Sequence, residues 1–148
     1  MVSIIPAYVY TLFASMIVGA MLIYAFSASA INIKNEADEQ QFQRIAQYVA
    51  ANGLKLVAAA TASNSNVSLE LNVPSLVGNQ RFWIQLQNDS SSTWIMIGYG
   101  TIPQPTEQRV TIPISAFASG TYISDSGVAV LECQANITGT YLELSGGY

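Results

Sequence analysis

The spacing of hydrophobic and polar positions changes twice along this chain. From Met1 to Ile33 no side chain is charged. The run from Pro6 to Phe26 supplies the ~20 apolar residues that, at ~1.5 Å each, cross a bilayer core of roughly 30 Å. Tyr8 and Tyr10 near one end and Tyr24 near the other fall where interfacial aromatics sit. Pro6 suits a first helical turn, where its missing N–H costs nothing. Past Phe26 the helical spacing persists while the polarity changes. Phe42, Ile45, Val49, Leu56 and Ala60 recur on one face, and Glu36, Asp38, Glu39, Gln40, Gln41, Gln43, Arg44 and Gln47 fill the other. No Gly or Pro breaks "AFSASAINIKNEADEQQFQRI", residues 25–45, so one helix is expected to pass from a lipid-suited half into a half that lays an apolar stripe on a folded domain. Gly53 is the soft point at which a bend or a brief interruption is expected, and "TASNSN" should end the helix.

After Asn66 the period falls to two. Val67, Leu69, Leu71 and Val73 alternate with polar residues, as do Phe82, Ile84 and Leu86, and Val110, Ile112 and Ile114. "TWIMIGY" is apolar on both faces, and "TYIS", "VAVLEC" and "TYLEL" follow, separated by "PSLVGN", "NDSSS", "PQP", "SDSG" and "ITG". Pro113 marks its strand as an edge. Short strands at such intervals predict an antiparallel β-sandwich, Ig-like or closed as a small barrel. The expected class is α+β, with a membrane and assembly helix over residues 1–60 and an extracellular β-domain over 66–148.

Composition sharpens this picture. Hydrophobic residues make up 51% of the 148 and charged ones 9%, far below the roughly 25% charge of an ordinary soluble domain. The net charge is −4, and the five basic residues are scattered, so no row of phosphates is matched and nucleic-acid contact is not expected. There is no histidine and one cysteine, which excludes an internal disulfide and the usual Cys/His metal spacings. Cys133 shares strand parity with Ala129 and Leu131 and reads as a small buried hydrophobe. Without histidine no Ser-His or Cys-His pair exists, and Glu70, Asp89, Glu107, Asp125, Glu132 and Glu143 fall singly at strand edges or turns. No enzyme, cofactor or metal is expected. "SDSG" at Asp125 reads as a tight turn, lacking the repeated oxygen spacing of a calcium loop. Trp83 and Trp94, placed on the exposed sheet face, suit a ligand platform, a core filling or a subunit contact.

Two sets of positions point to surface roles. Ser15 and Gly19, and again Ala25 and Ser29, stand four apart in the apolar helix, a spacing that lets a second helix approach closely; with Tyr8 they are the candidate packing positions. Asn66, Asn88 and Asn136 open Asn-x-Ser/Thr sequons, all in the β-region, and are candidate glycosylation sites. The apolar run is longer than the roughly 7–15-residue core of a secretory signal and has no basic residue before it, which favours its retention.

A hydrophobic helix that continues as an amphipathic one and then carries a small β-domain, with "LELNVPSLVGNQRFWIQL", "VTIPI" and "SGTYISDSG", resembles the archaeal type IV pilin-like superfamily of adhesive pilins and archaellum filament proteins. The resemblance implies a structural subunit of a cell-surface filament, inserted in the membrane and then assembled by a secretion ATPase and a polytopic platform protein. Its helices would bundle in the core and its β-domains would face outward. Members carry a short leader with a basic residue before the cleavage point, and none precedes the run here. The resemblance therefore implies either a sequence that starts near the mature end or an uncleaved relative. The second keeps open a membrane-anchored accessory or stator-like protein that grips a cell-surface component.

Overall fold

The computed structural model describes residues 4–89, 91–105, 109–114 and 116–147. One helix, α1 (Ile4–Ser63), precedes seven strands: β1 (Asn66–Leu71), β2 (Phe82–Asn88), β3 (Thr93–Tyr99), β4 (Arg109–Ile112), β5 (Phe117–Ile123), β6 (Val128–Asn136) and β7 (Gly139–Gly147). The chain divides into two compact units, Met1–Ala37 and Asp38–Tyr148.

Among the described residues the first unit is helix alone. Every residue from Ala7 to Ala37 is exposed apart from half-buried Gly19. Backbone hydrogen bonding is complete within a helix, so this segment needs no polar partner for its main chain, but its side chains are left with no apolar cover. Pro6 falls in the first turn of α1, as its missing donor requires.

In the second unit α1 lies on a sheet. Phe42, Ile45, Val49, Leu56 and Ala60 are buried at the expected spacing, joined by Ala46. They share one core with Phe82, Ile84 and Leu86 of β2, Ile95 and Ile97 of β3, Ile112 of β4, Leu131 of β6, and Leu142 and Leu144 of β7. Each Val, Leu, Ile or Phe side chain so taken out of water contributes about 1.5–3 kcal/mol. Gly53 does not interrupt the helix, which runs unbroken to Ser63. Its role is close approach: a Cβ there would stand 3.3 Å from Leu142 Cδ2, 3.8 Å from Leu131 Cδ2 and 3.9 Å from Ile112 Cδ1. Asn64, in the left-handed region at φ 48°, stops the helix, and the Ser65 amide donates to the Ala60 carbonyl at 3.4 Å in a Schellman arrangement.

The strands form one sheet in the order β1-β6-β7-β5-β2-β3-β4. All neighbours are antiparallel except β5 and β7, which run parallel from Phe117↔Tyr141 to Gly120↔Leu144. The α+β class is as expected, but the sheet is mixed, and no second sheet packs on it among the described residues. The reason lies in α1, whose apolar stripe covers the face that a second sheet would cover. The sheet also curls. Leu142 of β7 and Ile112 of β4 both reach Gly53, although four strand spacings, ~19 Å in a flat sheet, separate those strands. β4 is an edge strand, and Pro113 follows its last residue. Between β1 and β2 a type I′ turn, Val77 to Gln80, has Gly78 at φ 57° and Asn79 at φ 65°, closed by two hydrogen bonds of 3.0 Å.

Candidate functional site

In the first unit, Tyr8, Ser15, Gly19, Ala25 and Ser29 share a sector of α1 about 120° wide at ~100° per residue. Tyr8 is 74% exposed, and a Cβ at Gly19 would meet nothing within 4 Å. The hydroxyls nearby turn inward on their own helix: Thr11 Oγ1 donates to the Ala7 carbonyl at 2.6 Å and Ser15 Oγ to the Leu12 carbonyl at 2.8 Å. At these two positions the hydroxyl is satisfied by the helix's own backbone. α1 is long and apolar enough to cross a membrane, with mean hydropathy 2.0 in its most apolar window.

The second unit places the three sequons together. Asn66 pairs with Gln134, Asn136 opens the β6–β7 turn, and Asn88 closes β2, where its Oδ1 accepts from the Ala118 amide at 3.2 Å. All three stand at the end of the sheet where α1 stops. Asp38 and Phe42 stand at the other end, against Gly78 and Tyr99. Asn136 Oδ1 accepts from the Thr138 amide at 3.0 Å, the Thr138 hydroxyl at 2.6 Å and the Gly139 amide at 3.0 Å, an Asx turn at an exposed tip. Ser90, which completes the sequon at Asn88, lies outside the described residues, as does Glu107.

The titratable groups act as structure. Cys133 is fully buried with Ala129 and Leu131, and burial pushes its thiol up. Tyr99 is pushed up to about 12, first by loss of water and then by its hydrogen bond to the negative Asp38. The Ser91 and Ser92 amides, each 2.8 Å from Asp89 Oδ1, hold Asp89 below the usual carboxylate range and fix its loop. Asp125 sits in a turn at φ 74° and pairs with Arg81 at 2.8 Å. Among the described residues no three His, Cys, Asp or Glu side chains gather as metal ligands.

Of the readings open for Trp83, the structure favours a filling residue over a ligand platform. Trp83 is on the outer sheet face but only 1% exposed, because its ring lies on Gly98, the cross-strand partner, and its indole N–H donates to the Tyr99 carbonyl at 3.2 Å. Trp94 is half-buried, with the Arg109 guanidinium 5.8 Å above its ring. The exposed aromatic pair is instead Phe117 and Tyr141, stacked at 5.3 Å with 19° between their planes. They line an outer-face cleft of about 440 Å³ with Glu132, Gln134 and Glu143. A second cleft of about 520 Å³ runs on the other side of Phe117, past Asp89 and Thr138. Sequence reasoning missed the pair because the two residues meet only through the parallel β5–β7 register; two aromatics at strand positions of outward parity were the available signal. Comparison with known proteins finds no matching family model, no matching curated relative and no matching solved structure.

Proposed function

We propose that the chain is a structural subunit of a type IV pilus-like helical filament at the cell surface, inserted in the membrane before assembly and polymerised through the apolar half of α1. The observation that carries this reading is the contrast along one unbroken helix. Its second half is covered by the chain's own sheet, and its first half, Ala7 to Ala37, has no cover of its own. A helix satisfied along its backbone can exchange lipid for copies of itself without breaking a hydrogen bond. In that exchange the sector of Tyr8, Ser15, Gly19, Ala25 and Ser29 is the close-packing face, since lipid gives no hydrophobic drive and small residues let backbones approach. A pilus-type secretion ATPase and a platform protein would drive the transfer. The β-unit would face outward, carrying glycans at Asn66, Asn88 and Asn136.

Replacing Gly19 with Leu tests the packing face. The expected result is normal membrane insertion without filaments in electron micrographs; normal filaments from Gly19→Leu overturn the packing assignment. A membrane-anchored accessory protein would instead stay with washed membranes as a monomer or dimer. Intact mass of native protein reads the glycans, and an unmodified mass removes them from the proposal.

A further inference from the structure

The outer face of the sheet carries an arrangement of side chains that the proposed packing face of α1 does not include. Two neighbouring rungs cross it. One runs Ser68, Glu132, Glu143, Ser119 over β1, β6, β7 and β5; the next runs Asn66, Gln134, Tyr141, Phe117 over the same strands. Two residues along a strand separate them, ~7 Å, the scale of one sugar ring. The first rung offers carboxylate and hydroxyl acceptors, and the second offers an aromatic shelf.

The shelf is built and not loose. Phe117 is 56% exposed and Tyr141 43%, yet their rings stack, and the Phe117 ring also lies where a side chain at Gly139 would stand, 3.6 Å from that Cβ position. An exposed ring fixed on two sides loses little further freedom on binding. The carboxylates add a sign. Glu132 and Glu143 are direct cross-strand partners, an arrangement of like charges that destabilises a sheet. Among the described residues no ion pair reaches either, and β1, β6 and β7 contain no Lys or Arg. Both carboxylates are exposed, so a ligand on this face is favoured when it donates hydrogen bonds and carries no negative charge.

We infer that this cleft binds a pyranose saccharide without negative charge, presented by a molecule other than this chain. One face of a pyranose is apolar, with C–H bonds of positive edge character that meet the negative face of an aromatic ring. Its hydroxyls donate to the carboxylates, and those charge-assisted hydrogen bonds are the stronger kind. The cleft volume of about 440 Å³ lies in the roughly 300–1,000 Å³ range of small-ligand sites. The inference does not rest on the filament reading, since both rungs belong to the second unit.

The test uses the full chain in a detergent without sugar headgroups, titrated by NMR with three trisaccharides: N-acetylglucosamine, glucosamine and galacturonate. The expected result is a Kd of ~1 mM for the neutral sugar, an equal or lower value for the cationic one, and at least about tenfold weaker binding of the anionic one. Phe117→Ala should weaken the neutral sugar about tenfold, with the near-ultraviolet signal of the two tryptophans unchanged. The isosteric pair Glu132→Gln and Glu143→Gln should erase the preference against galacturonate. No binding of the neutral sugar at about 10 mM, equal binding by Phe117→Ala, or preference for galacturonate overturns the inference. So does native protein that binds only after its own glycans are removed, because the occupant would then be this chain's sugar.

Discussion

Gly19 and Gly53 are glycines of the same helix in opposite circumstances. A Cβ at Gly19 would meet nothing within 4 Å, while one at Gly53 would press on side chains from three strands. Phe26 and Phe42 repeat the contrast, at 73% and 4% exposure. The difference teaches that helix formation and helix burial are separate matters. Local propensity and internal hydrogen bonds carry α1 through both units, but only the second half supplies its own apolar cover. The first half has no apolar cover within the described residues.

Four pairs of measurements would break or sharpen that contrast, each read from thermal unfolding of the full chain by the near-ultraviolet signal of Trp83 and Trp94, which reports the second unit alone. The largest effect is expected from Phe42→Ala. It empties a site shared with Phe82 at 6.0 Å and Tyr99 at 4.6 Å between ring centroids, at a cost of about 3–5 kcal/mol, whereas Phe26→Ala should stay within about 0.5 kcal/mol. Next comes Gly53→Leu, which overpacks the core by about 1–3 kcal/mol; Gly19→Leu should leave the unfolding curve where it was. Thr93→Val removes the buried hydroxyl that donates to the Ala116 carbonyl at 2.9 Å, costing about 1–2 kcal/mol. Thr11→Val should cost nothing measurable, because its acceptor lies within its own helix. The smallest effect is alkaline. The folded state holds the Tyr99 proton up to about 12 against an ordinary 10.0, so raising the pH through that window ionises the unfolded chain first and favours it. The melting temperature should fall between pH 10 and 12, and Tyr99→Phe should reduce the fall.

Alternation made much of the sheet legible. Phe82, Ile84 and Leu86, and Ala129, Leu131 and Cys133, are buried as their parity required, because one covered face imposes period two on each strand. Strand order was not legible. The parallel contact of β5 with β7 depends on where β6 turns back, which no local pattern encodes. That one contact also makes the Phe117–Tyr141 shelf, so the most specific surface feature was hidden for the same reason. Trp83 looked exposed because parity assigns a face, not its covering; the gap over Gly98 that admits its ring lies 15 positions away in sequence. Leu69, of inward parity but 38% exposed, shows the converse on β1, an edge strand.

The thiol buried in β6 has a use of another kind. Cys133 has 0% exposure and a thiol pushed upward by burial, and alkylating reagents attack the thiolate alone. Its labelling must wait for β6 to come free, so the rate of modification becomes a stopwatch for spontaneous opening events, readable by mass.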